Sequence, residues 1–169
     1  MKFVPFVYDS ELNRINVDIA RMSQADADVT DFFPMWQTSW NSDFLNDGRF
    51  ENYSMKAGDE LIALGAYEIL QNQLVVHIAY LESQPQSNPV ITDKKKYTGI
   101  GRVLIAFGIK LSIDAGFNGD VVLEAKTSEL ERHYVRDFGA VKLPSFGSSA
   151  PRLLIADEAA KNIFYSYLE

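Results

Sequence analysis

The chain has 169 residues, 47% of them hydrophobic and 23% charged, with a formal net charge of −7 and no cysteine. That length fits one domain with a substantial hydrophobic core, and the composition is that of an ordinary soluble globular protein. No apolar run approaches the ~20 residues that cross a bilayer. A nucleic-acid backbone would be repelled on average, and without cysteine there is no disulfide, thiolate nucleophile or Cys-based metal site. The acidic balance suits a cationic acceptor such as an amine.

The opening Met1-Lys2-Phe3-Val4-Pro5 lacks the apolar core of a signal peptide, so a cytoplasmic location is expected. Phe3 to Tyr8 predicts a short strand. From Asn13 to Phe33, residues Ile15, Ile19, Met22, Ala25 and Val29 recur at loosely helical spacing. The stretch from Asp31 to Trp36, with Trp40 and Phe44 following, is rich in aromatic residues. Packing of helices onto a sheet is the expected use; lining a substrate pocket is the other.

Beyond Asn52 the pattern sharpens. Tyr53 to Ala57, Glu60 to Leu70 and Leu74 to Glu82 read as three strands. Their short turns, Gly58-Asp59 and Gln71-Asn72-Gln73, imply an antiparallel meander. Ser83 to Tyr97 is a polar loop with Pro85, Pro89 and a run from Lys94 to Lys96. A helix is predicted from Gly101 to Ala115, stopped by Gly116, then a strand from Asp120 to Ala125. Strand, helix and strand make a βαβ unit, which requires those two strands to be parallel. Ser128 to Phe138 is a second helix, with Thr127 or Ser128 as N-cap and Gly139 as stop. Val141 to Leu143 and Arg152 to Ala156 suggest late strands around a Ser/Gly/Pro loop. Asp157 is placed as the cap of a closing helix, Glu158 to Leu168.

The segment Lys96-Tyr97-Thr98-Gly99-Ile100-Gly101-Arg102 is the most informative. Glycines let the backbone approach closely, and the first helical N–H groups have no partner within the helix. The helix dipole adds partial positive charge there, which suits a phosphate or pyrophosphate. A turn needed only for geometry would use the same residues. It is neither a P-loop, lacking Gly-Lys-Ser/Thr, nor a Rossmann turn, lacking the third glycine.

The order of meander, βαβ unit with Gly-x-Gly helix start, and helix–Gly–strand resembles the GCN5-related N-acetyltransferase superfamily. The family's pyrophosphate motif, Gln/Arg-x-x-Gly-x-Gly/Ala, is matched by Lys96-x-x-Gly99-x-Gly101, with lysine in place of Gln/Arg. A later signature, a Tyr-containing helix ending in Gly-Phe, is echoed by His133-Tyr134-Val135-Arg136-Asp137-Phe138-Gly139-Ala140, with Tyr134 one residue further from the glycine. The loop before the Gly motif is longer than in the commonest members. The resemblance covers roughly residues 50 to 145 and implies one mixed α/β domain over residues 1–169. Its central sheet would be mostly antiparallel, with a splayed parallel pair and flanking helices.

The resemblance further implies an acyl-CoA-dependent N-acyltransferase, with acetyl-CoA as co-substrate, acting on a primary amine by direct attack in a ternary complex. Lys96, Thr98, Gly99, Ile100, Gly101 and Arg102 would hold the CoA pyrophosphate. Leu81, Glu82 and Ser83 would offer main-chain groups to the pantetheine arm, unless that strand pairs continuously with Asp120 to Ala125. His77 stands where some relatives carry a catalytic glutamate, and its ordinary pKa of ~6.5 suits a base. It would otherwise be a sheet histidine bonded to a neighbour. Glu82 is the alternative base, on the opposite face by strict alternation. Tyr134 is the candidate acid for the departing thiolate, or a half-buried helix aromatic. Glu124 could bind an ammonium acceptor or pair with Lys126 or Arg132. His77 and His133 are too far apart in sequence to suggest a metal site. No nucleic-acid or membrane partner is expected, and a homodimer is compatible with the resemblance. A catalytically idle relative that binds CoA or a protein partner is the rival reading.

Overall fold

Ile15, Val17 and Ile19 alternate with polar residues, and this period of two makes extended chain where the apolar residues also show loosely helical spacing. The computed structural model describes residues 1–144 and 150–169; the expected Ser/Gly loop after Pro144 lies outside them. Strands β1 (Phe6–Asp9), β2 (Arg14–Asn16) and β3 (Asp18–Arg21) precede a short helix α1 (Gln24–Val29). The meander follows as β4 (Glu51–Ala57), β5 (Glu60–Leu70) and β6 (Val75–Ser83). Then come β7 (Tyr97–Thr98), α2 (Ile100–Asp114), β8 (Val121–Glu124) and α3 (Ser128–Phe138). The chain closes with β9 (Val141–Lys142), β10 (Arg152–Ile155) and α4 (Asp157–Tyr165). These elements form a mixed α+β fold whose strands are mostly antiparallel, with one parallel pair.

The residues group into two compact units, the first being Met1–Tyr67, Tyr80–Leu104 and Leu168–Glu169. In it β1 joins β2 and β7 in a small antiparallel sheet. A second run has the order β3-β4-β5-β6. Ser23 and Asp26 close a reciprocal capping box that starts α1. Trp40, Leu45, Met55, Ile62 and Tyr67 form the core here, and the Tyr67 hydroxyl donates to the Leu104 carbonyl at 2.7 Å. The aromatic segment divides: Trp36 and Trp40 are buried, as core packing requires, whereas Phe32, Phe33 and Phe44 face solvent.

The second unit holds Glu68–Ala79 and Ile105–Tyr167. Its strand order is β6-β8-β10-β9. β6 and β8 are parallel, as the βαβ unit requires, through Val76↔Val121 and His77↔Val122. β10 is antiparallel to both β8 and β9. Ile105, Ile109, Leu153, Ile155 and Ile163 are buried along α2, β10 and α4. Asp157 is not the cap of α4: Ala156 occupies that extended position without a side-chain bond, and Asp157 is the first helical residue at φ +52°. Among the described residues no helix is long and apolar enough to cross a membrane.

Gly139 ends α3 in the left-handed conformation at φ +68°, and a Cβ there would lie 2.9 Å from the Ala159 Cβ. Gly139→Ala therefore adds backbone strain to a steric overlap with α4. Denaturant unfolding should show a loss on the order of 2 kcal/mol or more.

Candidate active site

Two constraints shape the Gly-rich turn in the first unit. Thr98 pairs with Tyr8 on β1, and Gly99 then reverses the chain at φ +88°, a conformation costly for any side chain. Val103 N donates to Gly99 O at 3.2 Å as the helix begins, so the amides before Val103 precede the intrahelical ladder. A Cβ added at Gly99 or Gly101 meets nothing within 4 Å, so a ligand can approach the backbone closely. An anion is the ligand such a helix start favours.

The turn is fastened from behind. Lys96 N donates to Gln86 O at 2.9 Å, and Tyr97 N to the Ser87 hydroxyl at 3.1 Å. The Lys96 ammonium takes both oxygens of Glu60, at 2.8 and 3.0 Å, and the Tyr97 hydroxyl donates to the same carboxylate at 3.0 Å. The hydrogen bonds that Lys96 donates to Glu60 raise the Lys96 pKa. The Lys96 side chain is thus occupied, and the turn's offer to a ligand is its backbone.

β6 runs on to Ser83, six residues past His77, where its rungs to β8 end. Continuous pairing, the alternative for Leu81 to Ser83, is not what this ladder shows. Glu82 on that stretch is 5% exposed. One of its oxygens accepts Gln37 N–H at 2.6 Å and the other the Trp40 indole N–H at 3.1 Å. Tyr80, two residues earlier, shares a hydrogen bond with Thr38 at 2.6 Å and packs its ring near Trp40. Alternation places both side chains against the segment from Gln37 to Trp40.

His77, in the second unit, lies between two carboxylates. Its Nδ1 is 3.1 Å from Glu68 Oε1, and its Nε2 is 2.8 Å from Glu124 Oε2. Burial pulls its pKa down, but hydrogen bonds to Glu124 and Glu68 more than offset this, and the net shift is upward. Burial pushes Glu124 up, yet His77 and Arg152, whose guanidinium is 3.4 Å away, bring it below its ordinary value. Both shifts favour an imidazolium flanked by carboxylates.

Tyr134 sits half-buried on α3, its ring tilted against His133 and Phe138. Its carbonyl accepts the N–H groups of Gly139 and Ala140, which close the helix. Burial raises its pKa. The hydroxyl makes no hydrogen bond among the described residues, which leaves it available as a donor. Among those residues there is also no cluster of three or more acidic or histidine side chains able to hold a metal.

Sequence reasoning missed Glu68 and Arg152 as partners of His77 and Glu124. The expected turn at 71–73 sets Glu68 opposite Val76, whereas the structure closes the turn over 71–74, and counting outward from there sets Glu68 opposite His77. The partners of Glu82 carried no local signal, because Gln37 and Trp40 reach it across 45 and 42 residues.

No family model matches the sequence, and no curated protein matches it either. Solved structures do. The PaiA N-acetyltransferase of Thermoplasma acidophilum, in complex with coenzyme A, is 14% identical, with 83% of this chain and 99% of that one covered and a TM-score of 0.56. The ribosomal-protein-S18-alanine N-acetyltransferase of Escherichia coli is 12% identical, with 83% and 95% covered and a TM-score of 0.55. An uncharacterized protein of Bacillus halodurans is 10% identical over 98% of this chain and 96% of its own, with a TM-score of 0.63. Identities this low speak to architecture. With its parallel strand pair, Gly-rich start of α2 and glycine-stopped α3, the chain has the fold of the GCN5-related N-acetyltransferase superfamily.

Proposed function

We propose that the protein is an acyl-CoA-dependent N-acyltransferase that acetylates a primary amine by direct attack. The observation that carries this reading is the open Gly99-x-Gly101 turn at the start of α2, in a fold shared with N-acetyltransferases. The residues present fit the donor: a Cβ-free approach at both glycines, helix N–H groups ahead of Val103, and the edge of β6 from Leu81 to Ser83. Thr98, Ile100 and Arg102 complete the pyrophosphate contacts through their main chain, and the Lys96 pair with Glu60 holds the turn in place.

Acetyl-CoA supplies a thioester whose acyl carbon accepts the amine nitrogen while the carbon–sulfur bond breaks. This chain must then move two protons. His77, buried with a raised pKa, first loses its own proton. One ring nitrogen then has no hydrogen to share with its carboxylate, and it becomes the acceptor for the amine's proton. Glu124, with a third of its side chain exposed, is the solvent-facing member, so the proton reaches His77 through it or through water. Tyr134 donates its free hydroxyl to the leaving sulfur. Glu82 is committed to Gln37 and Trp40 and positions that segment rather than serving as the base.

Acetyl-CoA incubated with a panel of primary amines should release free thiol with at least one of them. Tyr134→Phe keeps the ring and removes the donor, so it should lower kcat and kcat/KM together at unchanged melting temperature. Both ring nitrogens of His77 being occupied favours a second reading, an idle CoA-binding module. Coenzyme A binding with no thiol release from any amine would select it.

A further inference from the structure

A cavity of about 410 Å³ lies in the first unit, bounded by α1, the chain from Phe32 to Trp36 and the turn between β4 and β5. Small-molecule sites fall in the range of roughly 300–1,000 Å³. Part of its lining is apolar: Val29, Phe32, Phe33, Pro34 and Trp36. Trp36 is buried, whereas Phe32 is 69% and Phe33 96% exposed. Large apolar side chains gathered in water at a cavity mouth gain free energy in proportion to the area that a ligand covers. Gln37 N–H and the Trp40 indole N–H, both donating to Glu82, fasten the end of this aromatic stretch.

The lining also carries charge, with Asp26, Asp59 and Glu60 set against Lys56, beside the neutral amides of Gln84 and Gln86. Most of these charges are already matched. Lys56 Nζ is 3.0 Å from Asp26, which also accepts from the Ser54 hydroxyl at 2.7 Å. Burial pushes the Asp26 pKa up, but these bonds and those to Ser23 bring it below its ordinary value, so it is ionised. Glu60 is taken by Lys96 and Tyr97. Asp59, exposed in the turn after Gly58, makes no hydrogen bond or ion pair among the described residues. One unmatched carboxylate therefore stands beside an exposed aromatic wall.

We propose that this cavity binds an aryl-alkyl primary ammonium ion, with its ring against Phe32, Phe33 and Trp36 and its charge at Asp59. The net negative lining repels nucleotides and other anions. A neutral aromatic would leave Asp59 without a role, while an ammonium also gains from the faces of the exposed rings. That this ion is the acyl acceptor rests on the acyltransferase reading; that it binds here does not.

The probe is 2-phenylethylammonium, titrated calorimetrically into the full chain with no acyl donor present. It should bind with Kd below about 1 mM. It should bind at least about fivefold more tightly than 2-phenylethanol, which keeps the ring and loses the charge. Phe33→Ser and Asp59→Asn change surface positions, so both variants should keep their melting temperature while each weakens binding at least about threefold. Equal affinity for 2-phenylethanol, unchanged affinity in both variants, or no heat at about 5 mM probe overturns the proposal. Acetyl-CoA is then added. Binding without acylation upholds the cavity and overturns its acceptor role, whereas acylation indifferent to both substitutions overturns the cavity as the acceptor site.

Discussion

Coenzyme A, at about 100 times its dissociation constant, should raise the unfolding free energy by about 2.7 kcal/mol. For a chain of 169 residues that is a rise in melting temperature of roughly 5–10 °C. Gly101→Glu should abolish the shift. The position is open, so the side chain fits without a clash, but it sets a carboxylate where the pyrophosphate would sit. Gly101→Ala separates the causes. Alanine in a helix is favoured over glycine by about 1 kcal/mol, so this variant should melt higher without ligand and gain less from coenzyme A. A wild-type protein that melts cooperatively but does not respond to millimolar coenzyme A would sink the donor assignment.

The second large effect concerns His77. Its raised pKa means that the imidazolium persists above pH 6.5, so kcat/KM should rise with an apparent pKa above that value. His77→Gln should lower kcat/KM by a factor on the order of 10²–10⁴ and remove that titration, leaving only the amine's own, at higher pH. The same group has a stability signature with a defined sign. A folded pKa above the unfolded one contributes stability that is fully present below pH 6.5 and is lost as pH rises through the folded value. Chemical denaturation across that window should show the slope in the wild type and lose it in His77→Gln. A pH–rate profile unchanged by the substitution would remove His77 from the proton path.

Much of this was legible in the chain. Strand β5 and helix α3 have the expected ends because both are bounded by strong local punctuation: Gly58-Asp59 and Gln71-Asn72-Gln73 around one, Thr127 and Gly139 around the other. The parallel pairing of β6 with β8 followed from connectivity alone. The N-terminal third resisted for a physical reason. Residues 14–21 form two short strands, too brief for their alternation to outweigh helical spacing over a longer window. Within the candidate site, residue types were legible and their commitments were not. The sequence shows His77, Glu82 and Lys96 as chemically able groups. Only the fold reveals that each is already bonded, to Glu68 and Glu124, to Gln37 and Trp40, and to Glu60.

The Glu82 carboxylate has a thermodynamic consequence beyond its own bonds. It joins the edge of β6 to the segment from Gln37 to Trp40, and Trp40 is tied a second time, its backbone N–H donating to the Thr30 hydroxyl at 3.0 Å. A segment held by such bonds adds little conformational-entropy cost to association. Should a ligand dock against this segment, it would meet a surface whose shape and charge are already set by those three bonds.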